Sequence, residues 1–222
     1  IVTENSLLTG TFTSNDESCD GVMDGSVAVN NAGGVSPYAY IWDDLAGTTT
    51  ANIDNIGPGT YGVTVTDNAG CTFTDVVTIS TLNSLPTPSI TGATEVCGGD
   101  STTLDAGSYS GYSWSTGDST QTIDVSMTGT YLVVVTDSNG CQNGDSLAVV
   151  VFDPLMVTLN GNDVTCEGAG DGSMEAVVSG GVMPYSYTWN DPATQTTAIA
   201  SNLDEGTYTV DILDDEGCDA TA

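Results

Sequence analysis

The chain is 222 residues long and sets 30 Asp and Glu against no Lys, no Arg and no His, a formal net charge of −30. A typical soluble protein mixes both signs over about a quarter of its residues; the missing cations exclude phosphate-contacting nucleic-acid binding and anionic-membrane binding, remove every side-chain salt bridge and tryptic site, and leave a self-repulsion that salt or divalent ions must screen. Without His or Lys there is no base for a nucleophilic triad and no imidazole acid–base group, so no catalytic residue is assigned and the chain is read as a non-enzyme.

In chain order, period-two alternation punctuated by Gly and Asn predicts strands near residues 6–13, 25–31, 38–43, 49–56, 60–67 and 71–80. No stretch has helical periodicity. Val27, Val29, Tyr38, Tyr40, Trp42, Ile53, Ile56, Tyr61, Val63 and Val65 would fill the space between two sheets. The stretch ends on a thirteen-residue box, Gly59 to Cys71 (GTYGVTVTDNAGC), in which Tyr61, Val63 and Val65 alternate with smaller or polar residues. Its Asp-x-x-Gly reads as a tight turn: the Asp accepts backbone hydrogens and the Gly tolerates positive φ.

The box recurs from Gly129 to Cys141 and from Gly206 to Cys218, and such internal repetition means tandem modules. The first and third units superpose without a gap at an offset of 147 residues: Cys19 on Cys166, Asp24-Gly25-Ser26 on Asp171-Gly172-Ser173, Gly33-Gly34 on Gly180-Gly181, Pro37-Tyr38 on Pro184-Tyr185, Trp42 on Trp189. The middle unit keeps Cys97, Trp114 and Cys141 in order but lacks Gly-Gly-x-x-Pro-Tyr. Leu82 to Pro88 is a stiff, proline-bearing link, and Asp153-Pro154 marks a second boundary. The expected architecture is all-β: three tandem immunoglobulin-like β-sandwich domains, 1–82, 83–152 and 153–222, in an elongated array.

Six cysteines, two per unit, occur without His and without C-x-x-C, which favours disulfides over zinc and a place outside the cytoplasm. Cys19 and Cys71 are four strand passes apart, and an even number returns the chain to the end of the sandwich where it started. The expected pairs are therefore Cys19–Cys71, Cys97–Cys141 and Cys166–Cys218. Such a staple suits domains of about 70 residues, which bury little surface.

Asp20 with Asp24, and Glu167 with Asp171, lie in equivalent Gly-rich turns as candidate Ca²⁺ ligands. Neither has EF-hand spacing, so turn capping is favoured and no metal or cofactor is assigned. Asp43-Asp44 and Asp214-Asp215 are sequence neighbours that a strand points to opposite faces, unlike a glycosidase pair. The three Trp and the paired Tyr read as core rather than as a sugar-stacking row. Leu132 and Val134 put apolar groups on the outward face of the middle box strand, which suggests that it is covered on both sides. After Cys71 the chain runs on through Phe73, Val77 and Ile79, whereas only Asp219 to Ala222 follow Cys218. The third unit is thus expected to take its last strand from a continuing chain or from a neighbour. The chain also starts without Met or signal peptide and reads as the interior of a longer precursor.

Cys19-x-Gly-x-x-Asp-Gly-Ser, Gly33-Gly34-x-x-Pro-Tyr-x-Tyr-x-Trp42 and the box together resemble SprB-type repeats, over residues 19–80 and 166–222. The middle unit is similar to the immunoglobulin-like or PKD-like domains that accompany them. The resemblance implies a large adhesin on the surface of gliding bacteria that use type IX secretion: a filament of β domains for adhesion and motility, with no catalytic residues. Its partners would be neighbouring domains of the same chain, other copies in a filament, and an extracellular surface or polysaccharide. The alternative is a carbohydrate-binding or accessory module of a secreted enzyme, which an exposed aromatic row would favour.

Overall fold

The computed structural model describes residues 6–44 and 46–222. The chain gathers into two compact units: the first takes the chain up to Thr87 together with Val135–Asn143, the second Pro88–Val134 together with Gly144–Ala222. Every regular element among the described residues is a strand, so the fold is all-β, as the period-two patterning predicts.

The first unit holds β1 (Thr9–Asn15), β2 (Glu17–Cys19), β3 (Gly25–Ala32), β4 (Ala39–Trp42), β5 (Asn52–Ile56), β6 (Gly59–Thr66), β7 (Thr72–Ile79) and β8 (Thr81–Asn83). Sheets β1-β3-β5 and β4-β6-β7 are antiparallel, while β2 and β8 form a separate parallel ribbon. Val27, Val29 and Ile53 from one sheet and Trp42, Val63, Val65 and Ile79 from the other form a single core, which makes the pair a sandwich. Six strands lie near the predicted spans. The other two, β2 and β8, are three residues each and too short to show a period.

The middle stretch continues with β9 (Glu95–Val96), β10 (Thr102–Asp105), β11 (Gly111–Trp114), β12 (Thr122–Val125), β13 (Gly129–Thr136) and β14 (Gln142–Val151). The residues of β13 and β14 are divided between the two units. The last stretch has β15 (Met156–Asn162), β16 (Gly172–Ser179), β17 (Ser186–Trp189), β18 (Ile199–Leu203), β19 (Val210–Leu213) and β20 (Asp219–Thr221), in sheets β15-β16-β18 and β17-β19-β20. Ala176, Trp189, Ala200, Leu203, Val210 and Ile212 are its core.

The matching residues of the first and third repeats do the same work. A β-bulge falls between Gly25 and Ser26 and again between Gly172 and Ser173, opposite Asn55 and Asn202, both in the left-handed region that Asn tolerates. Trp42, Trp114 and Trp189 are buried, and each Nε1 donates to a main-chain carbonyl: Thr50, Thr120 and Thr197 respectively. Each box tyrosine donates its hydroxyl to the carbonyl four residues upstream, Tyr61 to Gly57, Tyr131 to Met127 and Tyr208 to Asp204. The Gly-to-Tyr bond of Gly-Gly-x-x-Pro-Tyr, Tyr38 to Gly33 and Tyr185 to Gly180, is also present in the middle repeat as Tyr112 to Gly107. Sequence matching misses it because Tyr112 stands two residues before its Trp and Tyr38 four.

Candidate functional site: the cysteine-bearing edges

Each box turn is built around its aspartate. Asp67 accepts the amides of Ala69 and Cys71 on Oδ1, Asp137 those of Asn139 and Cys141, and Asp214 those of Glu216 and Cys218. The glycine before each cysteine, Gly70, Gly140 or Gly217, sits at φ near +85° (+85°, +87° and +84°), as the turn requires. In the outer repeats the second carboxylate oxygen reaches further: Asp67 Oδ2 accepts Val35 N at 2.9 Å and Asp214 Oδ2 accepts Val182 N at 2.9 Å. The preceding glycine makes room, since a Cβ on Gly34 would lie 3.0 Å from Asp67 Oδ2 and one on Gly181 2.8 Å from Asp214 Oδ2. The Val35 amide, followed by those of Cys71 and Ala69, outweighs burial and holds the Asp67 carboxyl below the usual carboxylate range. At Asp214 burial is the largest influence and opposes the charge, yet the amides of Val182, Cys218 and Glu216 overcome it and lower that carboxyl too.

The upstream cysteines sit where the chain leaves their own repeat. The β2–β8 ribbon places Glu17 opposite Thr81 and Cys19 opposite Asn83. Asp20 N donates to Asn83 O, and Asn83 Nδ2 donates to Ser18 O. In the middle repeat β9 pairs in parallel with the end of β14, Glu95 opposite Val150 and Val96 opposite Val151, and Phe152 N donates to Val96 O. Gly98 must be glycine here, because a Cβ would collide with Pro154 N as the chain passes out. Both ribbons are the same device: a short strand before the upstream cysteine, laid beside the exit of its own repeat.

The disulfides follow from that placement. Cys19 bonds Cys141, with Cα atoms 5.7 Å apart, and Cys97 bonds Cys218, with Cα atoms 5.6 Å apart. Cys71 and Cys166 are exposed free thiols among the described residues. The pairing therefore differs from Cys19–Cys71, Cys97–Cys141 and Cys166–Cys218: each bond joins one repeat's upstream cysteine to the next repeat's box cysteine. Strand parity fixes the end of the sandwich but not the edge. At that edge β8 leads the chain away beside Cys19, and the turn of the middle box comes back to it, with Asn143 Nδ2 donating to Pro86 O.

The remaining candidates have structural employment. Asp24 Oδ1 accepts Ser18 N, and Asp171 accepts the Thr165 amide and hydroxyl. Bonds from Ser18 and from Thr165, side chain first, hold these carboxyls below the usual range. Asp20 and Glu167 are exposed beside them. No group of three or more His, Cys, Asp or Glu that could hold a metal ion is found among the described residues. Asp43 accepts Gly62 N, and Asp44 accepts the Thr48 amide and hydroxyl. Leu132 is 47% exposed and Val134 half-buried, so the outward face of β13 is not covered as expected. No helix among the described residues is long and apolar enough to cross a membrane.

A comparison with curated proteins finds no match. Among solved structures, a three-domain immunoglobulin segment of titin covers 98% of this chain and 96% of its own at 12% identity and a TM-score of 0.41. The first five immunoglobulin domains of Sidekick-1 cover 99% of this chain over 58% of their own, at 11% identity and a TM-score of 0.32. The four N-terminal immunoglobulin domains of a Dscam1 isoform cover 100% over 73%, at 13% identity and a TM-score of 0.25. Residues 11–47 and 158–194, two segments set apart by the same 147 residues as the cysteine and tryptophan matches, each match the SprB repeat.

Proposed function

We propose that residues 1–82, 83–152 and 153–222 are stalk modules of a long adhesive filament on a bacterial cell surface, exported by type IX secretion and serving attachment and, in gliding cells, movement. The observation that carries this reading is the pair of SprB repeats cross-bonded through a module between them. Disulfides of this kind persist outside the reducing cytoplasm. The partners are then neighbouring modules, other copies of the filament and the surface or polysaccharide to which cells attach. The rival, a carbohydrate-binding accessory module, needs an exposed aromatic row. None of the three Trp, nine Tyr and three Phe is fully exposed. Antibodies raised against the chain should label intact cells that make it and should reduce their attachment to a solid surface. Labelling that requires lysis, or attachment indifferent to the antibody, would refute the proposal.

A further inference from the structure

The first and third repeats share a feature away from the cysteines. β5 is an edge of its sheet, and the loop after Trp42 folds back beside it, held where Trp42 N donates to Thr48 O and Trp42 Nε1 to Thr50 O. Between loop and strand lies a cavity of about 560 Å³, lined among others by Thr48, Asn55, Ile56 and Tyr61. The third repeat has a cavity of about 390 Å³ at the same place, lined by Gln195, Asn202, Leu203 and Tyr208, each 147 residues further along the chain. The cavity is present where β6 is paired along its whole length with β7, so it is a property of the repeat. The middle module lacks what makes it. Trp114 Nε1 reaches a carbonyl six residues on where Trp42 and Trp189 reach eight, so its loop is shorter. It also has no counterpart of Asn55 and Asn202, since among the described residues non-glycine residues in the left-handed region occur only in the outer repeats.

Asn55 and Asn202 are the extra residues of the two bulges, and a bulge turns such a side chain out of the ladder. Both are exposed, and neither side-chain amide has a hydrogen bond to another described residue. In the same wall the ring of Tyr61 or Tyr208 is half-buried. Its hydroxyl is committed as a donor to Gly57 O or Asp204 O, which leaves the phenolic oxygen as an acceptor. The carboxylate that the two cavities share, Asp44 or Asp191, is turned to its own loop: Asp44 accepts the Thr48 amide and hydroxyl, and Asp191 the amides of Ala193 and Gln195 with the Gln195 side chain. Its charge repels an anionic ligand, and its oxygens are engaged rather than offered to a cation.

What both cavities leave open is an amide, a phenolic oxygen and an apolar surface made by the tyrosine ring with Ile56 or Leu203. A neutral pyranose has the matching faces, hydroxyls for the amide and ring C–H groups for the tyrosine. We propose that each outer repeat binds a neutral sugar unit of an extracellular polysaccharide in this cavity. One half-buried ring serves a single sugar, so the exposed row that an accessory module needs is not required. The inference deepens the attachment reading above and rests on it for the encounter with a polysaccharide. Each site binds weakly, and attachment comes from number, because sites linked in one chain engage a polymer at high effective concentration.

At a net charge of −30 the chain migrates fast in a native gel, whereas a neutral polysaccharide cast into the gel stays in place. With dextran, mannan, galactomannan and xyloglucan as probes, at least one should retard the chain relative to an acidic protein of another fold. Asn55→Gly with Asn202→Gly keeps the positive φ that each bulge needs and removes only the amide, and should weaken the retardation by about three- to tenfold, the effect of a lost hydrogen bond. In the unsubstituted chain, the side-chain amide signals of Asn55 and Asn202 should shift in an NMR titration with an oligosaccharide of the retarding polymer. No retardation by any of the four polymers, retardation unchanged in the double variant, or amide signals that stay still while the chain is retarded would each overturn the proposal. It fails separately from the attachment reading: a surface filament could lack sugar sites, and a chain that antibodies never find on intact cells could still be retarded.

Discussion

Asp67 and Asp214 show how a protein without cations uses its acids: not in ion pairs but as acceptors for turn amides. Each gathers amides from its own turn on one oxygen and an amide from a distant loop on the other. The turn half of this was legible in the sequence, since Asp-x-x-Gly is a local signal. The reach to Val35 and Val182 was not, because it joins residues 32 apart that meet only in the fold. Both carboxyls are lowered relative to the unfolded chain. Their stabilisation is therefore fully present above the unfolded value, about 3.9 for Asp, and is lost as pH falls through the depressed folded values. Melting followed downward from pH ~5 should show stability falling at the acid end. Asp67→Asn should lower the melting temperature at neutral pH and flatten that acid slope; an unchanged slope would show that the clamp does not couple to folding.

At the level of elements, the β2–β8 ribbon distinguishes the first repeat from the third. Glu17 is fully buried with no cation near it; its oxygens accept Met23 N at 2.8 Å and the Thr81 hydroxyl at 2.7 Å. Thr81→Val keeps the shape of the side chain but strips Glu17 of that bond, and should lower the unfolding free energy by about 1–3 kcal/mol, the usual cost of a buried polar atom left unpaired. Adding Glu17→Val, the residue type that Val164 supplies in the third repeat, should recover part of the loss. Urea unfolding of the two variants measures both; a double variant weaker than the single would place the role of Glu17 elsewhere. Strands of eight residues such as β3, β6 and β7 were readable because alternation has room to repeat. The ribbons, at two or three residues, carry no periodic signal, yet they fix the edge at which the upstream cysteines face outward from their repeat. For that reason strand counting chose the wrong partners: four of the six cysteines pair, in another pattern, and Cys71 and Cys166, expected to pair as well, are free thiols.

For the whole molecule, 30 acids and no counter-charge make ionic strength a determinant of stability. Raising salt from ~0.01 to ~0.15 M shortens the screening length from about 30 to about 8 Å, and the melting temperature should rise; no shift would mean that the carboxylates are too dispersed to repel. The bonds Cys19–Cys141 and Cys97–Cys218 overlap along the chain, each enclosing one end of the other. Pulled from its ends, such a chain cannot pay out freely. From Cys19 to Cys218 is 199 residues of backbone, about 680 Å when drawn taut. With the bonds intact, the route across Cys19–Cys141 leaves 77 residues to extend and the route across Cys97–Cys218 leaves 78, so both tighten together near 260 Å. Two near-equal strands then share the tension like paired ropes, and the turns, tryptophan cores and short ribbons enclosed between them can come apart without the tether reaching even half its covalent length.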